Sequence, residues 1–309
     1  MSEDPLIQWL LTGDVAVQFQ VWRDLLGEEK RDLRNRIVAE GWGKRFLNER
    51  KPDGHWGRGF YQVKWISSHY TLLDLKHLNI APTPPAIAET IDIILRENKS
   101  ADGGINPHGQ IKQSDVCING MILNYACYFK ADEAALRSVV DFIISQHMSD
   151  GGFNCRSNRQ GAVHSSLHTT ISVLEGIHEY CTNGYSYHCI ELERIAAEAR
   201  EFILQHRLFL SDRTGKIIDK RFLMLSYPSR WKYDILRALE YFRAANIPYD
   251  ERMQPALDAL LEKRRKDGRW PVQAKHPGKV HFDMEKTGQP SRWNTLRALR
   301  VCKHFGLLT

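Results

Sequence analysis

Four short turns recur along the chain and limit what it can become. Asp53-Gly54-His55-Trp56, Asp102-Gly103-Gly104-Ile105, Asp150-Gly151-Gly152-Phe153 and Asp267-Gly268-Arg269-Trp270 each place a large apolar residue two positions after the first glycine. The first three stand about 50 residues apart, the period of a repeat architecture in which no unit can bury its apolar face alone and each must stack on its neighbours. Before each turn runs an amphipathic helix, as in Leu136, Val139, Val140 and Ile143, and after it a loop leads to a second helix, as in Leu167, Ile171, Leu174 and Ile177. The unit is therefore helix, Asp-Gly turn, loop, helix. A fourth unit, over residues 192–244, keeps both helices but replaces the turn by Ser211-Asp212-Arg213-Thr214-Gly215. Near the N-terminus, Phe19-Gln20-Val21-Trp22-Arg23-Asp24-Leu25 reads like Trp293-Asn294-Thr295-Leu296-Arg297-Ala298-Leu299, so six second-type helices are expected, near residues 15–26, 66–78, 115–129, 165–180, 231–244 and 292–305. Five first-type helices lie between them. Strand signals are nearly absent, and Pro82, Pro84, Pro85, Pro248, Pro255 and Pro290 fall at unit boundaries. The expectation is an all-α chain, one domain over residues 1–309, whose helix pairs close into an (α/α)6 toroid with a central cavity.

Composition narrows the function classes. With 42% hydrophobic and 26% charged residues in 309, the chain can bury a large core. No apolar run approaches the roughly 20 residues that span a bilayer, and Glu3 and Asp4 stand where a signal peptide would be basic. A cytoplasmic protein is expected, with peripheral membrane contact left open. The net charge of +6 is dispersed among acidic partners, as in Glu28-Glu29-Lys30-Arg31-Asp32, which argues against nucleic acid as a partner. The six cysteines are scattered and form no CxxC pair, so free thiols are expected. Walker, dinucleotide and nucleophile-elbow motifs are absent.

Several residues carry chemistry by type and position. Asp115, Cys117 and His168 make a carboxylate, thiolate and imidazole set of the kind that holds zinc with one position open. Residues two apart do not share a helix face, so Asp115 and Cys117 converge only at a helix start, where Ser114 is a candidate cap. The structural alternative makes Cys117 a buried thiol, Asp115 a capping acid and His168 a packed core residue. One repeat earlier, Lys64-Trp65 leads to His69, a candidate further ligand or general acid/base. Two junctions share a phrase, Pro228-Ser229-Arg230-Trp231 and Pro290-Ser291-Arg292-Trp293. Each begins a helix well, and each also offers a guanidinium fork beside an aromatic wall, to which Tyr233, Lys64 and Trp65 would add. The loop over residues 270–286 is dense in ionisable groups. Asp283 and Glu285 are its acid/base candidates, and Lys279 and His281 its anion contacts.

The Asp-Gly-x-Trp and Asp-Gly-Gly-Phe turns resemble the repeat of the terpenoid cyclase and protein prenyltransferase superfamily over nearly the whole chain. The resemblance implies an (α/α)6 toroid, an isoprenoid-like or other apolar ligand in its cavity, and Trp56, Phe153 and Trp270 as outer braces. Neither the Asp-x-Asp-Asp of bacterial triterpene cyclases nor the DDxxD of metal-dependent terpene synthases occurs here. Closer is the β subunit of protein prenyltransferases, in which a Gly-Gly-Phe turn is followed by Asp-x-Cys and the next repeat supplies a His. Here Gly103-Gly104-Ile105 precedes Asp115-Val116-Cys117, and Gly151-Gly152-Phe153 precedes His168. That likeness implies zinc on Asp115, Cys117 and His168 and a diphosphate near Lys112; the guanidinium forks of Arg230 and Arg292 are expected as further anion contacts. It departs at Ile118, where an aromatic often follows the Cys, and in lacking an α-subunit-like repeat. Two other readings stand beside it. One is a carbohydrate-active α/α barrel using Asp283 with Asp115 or Asp74, the other a noncatalytic binding toroid.

Overall fold

Each Asp-Gly turn is built by the same set of bonds. The first glycine takes a left-handed backbone, with φ of 81° at Gly54, 86° at Gly103, 88° at Gly151 and 81° at Gly268, which a side chain would strain. The aspartate accepts a backbone N–H two residues on in three of the turns (His55 at 3.0 Å, Gly104 at 3.1 Å, Arg269 at 3.2 Å). The apolar anchor that follows is fully buried in all four. Its own N–H is held by a side chain on the first turns of the next helix: Trp56 by Ser68, Ile105 by Asn119, Phe153 by Thr170 and Trp270 by Thr295, at 2.7–3.0 Å. The indole N–H groups of Trp56 and Trp270 reach back to the carbonyls of Phe46 and Leu260 on the preceding helix. One short turn thus pins both helices of a unit to each other. The anchors are braces, as their repeat spacing implied.

The computed structural model describes residues 4–107 and 111–307. The helices are α1 (Pro5–Leu11), α2 (Val15–Gln20, prolonged by a wider turn over Val21–Leu26), α3 (Arg31–Arg36), α4 (Gly41–Asn48), α5 (Ser68–His77), α6 (Pro85–Glu97), α7 (Val116–Tyr128), α8 (Glu133–Ser145), α9 (Ser157–Gln160), α10 (Leu167–Thr182), α11 (Cys189–Gln205), α12 (Ile235–Ala244), α13 (Gln254–Leu261) and α14 (Arg292–His304). The six expected second-type helices are α2, α5, α7, α10, α12 and α14. They form the inner ring and are buried nearly all round; along α7, from Val116 to Cys127, only Cys117 escapes full burial. Among the described residues there is no strand, only isolated bridges such as Lys99 with Ile105. The fold is an (α/α)6 toroid.

Packing within the ring is close where the sequence is small. A Cβ on Gly176 of α10 would collide with the Gly120 carbonyl of α7, so two glycines set the nearest approach of adjacent inner helices. The ring closes between its ends. Arg292 at the start of α14 donates to the Trp9 carbonyl (3.0 Å) and the Thr12 hydroxyl (3.1 Å), and Lys303 at its end donates to the carbonyls of Asp24 and Leu25.

One expectation is corrected. Cys181 and Cys189 are not free thiols but are joined by a disulfide, with Cα atoms 5.9 Å apart. The end of α10 and the start of α11 meet in a helical hairpin, which brings together two cysteines whose spacing carried no motif. No described helix is long and apolar enough to cross a membrane.

Candidate ligand-binding site

The mouth of the toroid at the N-terminal ends of α5, α7, α10 and α12 holds a cavity of about 650 Å3. That volume suits a drug-sized ligand. The floor is formed by the starts of α7 and α10, and one wall by the irregular segment before α12. There the chain cannot yet be helical: Arg230 takes a left-handed backbone (φ 58°), and the helix waits for Asp234, whose carboxylate accepts the Arg237 N–H at 2.8 Å. Trp231 is therefore left half-buried against the cavity with Tyr61 and Ile118.

Two ammonium groups approach the Trp231 ring, Lys232 at 3.8 Å from its centroid and Lys64 at 5.5 Å. Neither is ion-paired with a described carboxylate. Burial, then the charges of Arg221 and Lys64, push the Lys232 amine below its usual range. Arg156 and Arg221 also line the cavity, Arg221 being paired with Asp219. The site is cationic with an aromatic wall, arranged for an anionic head beside an apolar body.

Asp115, Cys117 and His168 share this cavity, yet their donor atoms do not come together. Among the described residues the only three such donors within 4.8 Å of one another are those of Cys181, Cys189 and Glu193, two of which are the disulfide sulfurs. The His168 Nδ1 accepts the Tyr233 N–H at 2.8 Å, and its ring packs edge-on against Phe222 and Trp231. Burial lowers its pKa to about 4. Cys117 lies against Cys155. Cys155 Sγ accepts from the Cys117 N–H at 3.1 Å and the Thr169 hydroxyl at 3.5 Å. The hydrogen bond from the Cys117 thiol holds Cys155 below the ordinary thiol range, against the effect of burial. This donor set does not fit a tetrahedral zinc. Ser114 is not a cap, since its N–H and hydroxyl both bond Asp102 at 2.7 Å.

A second cavity, of about 240 Å3, lies under the loop over residues 275–285. Asp74 and Arg230 face it as a buried ion pair at 2.7 Å, with side chains 3% and 6% exposed. Arg230 also lies over Trp65 and Tyr70, so its guanidinium is engaged within the protein rather than offered to an anion. Trp65 tethers the loop through its indole N–H to the Pro277 carbonyl at 2.6 Å. Asp283 is exposed and paired with Lys275 at 2.7 Å. Glu285 accepts from the Ser291 hydroxyl and the Trp293 N–H, which makes it a cap for α14. Its pKa is raised by burial. The carboxylates proposed for glycosidic chemistry are thus distributed: Asp74 and Asp283 face this cavity, each held by a cation, and Asp115 faces the larger one.

The remaining candidates lie elsewhere. His69 is fully buried among Phe60, Tyr61, Tyr70 and Tyr125, with neither ring nitrogen hydrogen-bonded. Burial lowers its pKa to about 3, so it is a neutral core residue. Lys112 and Lys279 are exposed and line none of these cavities. Arg292 belongs to the seam with Trp9, Trp293 is buried between Trp42 and Tyr227, and Tyr233 is buried behind Trp231 with its hydroxyl on the Leu208 carbonyl. Sequence reasoning missed Lys232, Arg221, Arg156 and Cys155. Two signals were available: Lys232 directly follows Trp231, and Cys155 stands two residues after the Phe153 anchor.

No protein-family model matches the chain, and no curated protein matches it. Solved structures do. The chain is similar to a glycosyl hydrolase family 88 protein from Bacteroides vulgatus, at 11% identity and a TM-score of 0.51, over 95% of this chain and 91% of that one. It is also similar to the type II terpene cyclase MstE from Scytonema. With the substrate geranylgeranyl dihydroxybenzoate bound, that structure gives 12% identity and a TM-score of 0.47, over 96% of this chain and 88% of that one. With the product merosterolic acid A it gives 12% identity and a TM-score of 0.34, over 88% and 95%. At these identities the likeness is one of fold, the α/α toroid.

Proposed function

We propose that the protein binds an amphiphile with an apolar, isoprenoid-like body and an anionic head, a prenyl diphosphate being the type, in the 650 Å3 cavity. The observation that carries this reading is the pair Lys64 and Lys232 beside Trp231, two cations without a described carboxylate partner against an aromatic wall. Lys232 and Lys64 take the anion, while Trp231, Tyr61 and Ile118 take the chain. Lys112, Arg230 and Arg292 lie outside this cavity. In thermal denaturation, farnesyl diphosphate is expected to raise the melting temperature more than farnesol does, and Lys64→Ala with Lys232→Ala to remove the difference. Equal shifts for diphosphate and alcohol would overturn the anionic-head reading. A shift with a uronate but not with the prenyl compound would select the carbohydrate reading.

A further inference from the structure

A third cavity, of about 230 Å3, runs inside the ring from the starts of α12 and α14 toward the ends of the other inner helices and is walled by side chains from all six, with Tyr227 shared with the second cavity. Six cationic side chains line it against three carboxylates. Those acids are already claimed. Arg237 grips Glu175 through two nitrogens at 2.8 and 2.7 Å, Lys76 pairs with Glu179 at 2.7 Å, and Arg300 holds Glu240. Arg243 also bonds Glu240, at 3.2 Å, and Arg23 bonds Asp24, which leaves Arg297 the most loosely paired of the six. It is 7% exposed, its Nε stands 3.6 Å from the shared Glu240, and its one hydrogen bond to a described residue runs from Nη1 to Asn294 at 3.3 Å.

Two more groups on this cavity lack partners. The Asn124 Oδ1 and the Tyr227 hydroxyl are buried without a hydrogen bond, in side chains 1% and 5% exposed. Leaving a buried polar atom unmet is destabilising, so three poorly met groups on one cavity call for a common partner. The set is asymmetric. Arg297 and the Tyr227 hydroxyl donate, the charge surplus is positive, and Asn124 Oδ1 only accepts. A bare carboxylate or a halide would satisfy the first two and leave Asn124 unmet.

We propose that this cavity is a binding site for a small oxyanion that retains a hydroxyl near neutral pH, namely hydrogen phosphate. Its oxygens accept from Arg297 and Tyr227, and its hydroxyl donates to Asn124. The site shares no residue with the cavity of the proposed function and stands or falls separately.

The test is titration calorimetry of the full chain with inorganic phosphate, glycerol phosphate and sulfate at equal ionic strength near neutral pH. Sulfate has the charge but no hydroxyl, so phosphate is expected to bind about tenfold more tightly, the factor that one such hydrogen bond supplies. Tyr227→Phe, which keeps the ring on Trp293, and Arg297→Gln are each expected to weaken phosphate at least tenfold. Lys279→Ala, at an exposed residue that lines none of the three cavities, is expected to leave it unchanged. Glycerol phosphate, whose phosphoryl oxygens are deprotonated near neutral pH, is expected to bind no better than sulfate, and binding as tight as that of inorganic phosphate would overturn the role given to the hydroxyl. No phosphate binding, sulfate bound as well as phosphate, or wild-type affinity in Tyr227→Phe would overturn the site and leave the three groups to water.

Discussion

The tetrapeptide Pro-Ser-Arg-Trp occurs twice, and its two copies fold inside out with respect to each other. At residues 228–231 the arginine is buried on Asp74 and the tryptophan faces a cavity; at residues 290–293 the tryptophan is buried and the arginine faces the seam with Trp9. The cause is where the helix begins. Ser291 caps α14 at once, accepting the Asn294 N–H at 2.8 Å, whereas α12 starts only at Ile235 after Arg230 has turned left-handed. A delay of a few residues reverses which side chain points inward. Identical letters thus say what a junction can hold, and the register of the helix start says which face receives it.

Asp74→Ala is expected to have the largest effect. It strands Arg230 without a counter-charge in a buried setting, a loss of about 3–5 kcal/mol in chemical denaturation. Restoring stability with an apolar residue at position 230 would confirm that the arginine is held for its pair alone. The tryptophans supply the reciprocal contrast. Trp293→Ala empties a core position and is expected to cost about 3–5 kcal/mol. Trp231→Ala is expected to cost less than half as much and to weaken the amphiphile instead. If both tryptophans proved equally structural, the inside-out reading would fail.

Acid separates the junctions further. His168 accepts the Tyr233 N–H just after the first phrase and is held neutral, with a pKa lowered to about 4. The unfolded chain takes up this proton near the ordinary value of about 6.5, so it binds more protons than the native state between those two pH values, and stability falls as pH falls through that window. From pH 6.5 to 5 the loss from this group is about 1.6 kcal/mol, and His168→Asn, which keeps an acceptor there, should abolish that share in melts run across the range. The smallest effect is expected at Arg292→Ala, about 1 kcal/mol, for two hydrogen bonds at a partly exposed seam.

What was legible in the sequence was local. Asp-Gly turns at a fixed period, apolar positions three and four apart, and prolines between units report on backbone chemistry within a few residues, and they led to the inner helices and the toroid. The direction in which a side chain leaves the ring is set by neighbours a repeat or more away. Hence Arg230 and Arg292, both expected to meet an anion, meet Asp74 and Trp9. Glu285, expected as an acid, caps α14, because a carboxylate six residues before Ser291 reaches the free N–H groups of the helix start. The partnership of Cys117 with Cys155 and the bond between Cys181 and Cys189 likewise depend on helices brought together by the fold.

The seam through Arg292 and Trp9 has a kinetic consequence. It joins residues 283 positions apart, so it is among the least local contacts in a chain otherwise built from neighbouring repeats. Forming it requires most of the ring to be in place, because the entropy of closing so long a loop is not offset until the intervening helices have stacked. Closure is therefore expected to be the late event of folding, after propagation along the repeats. Linking the two ends and reopening the chain between other repeats would make this contact local and assign the late step to a different pair of helices.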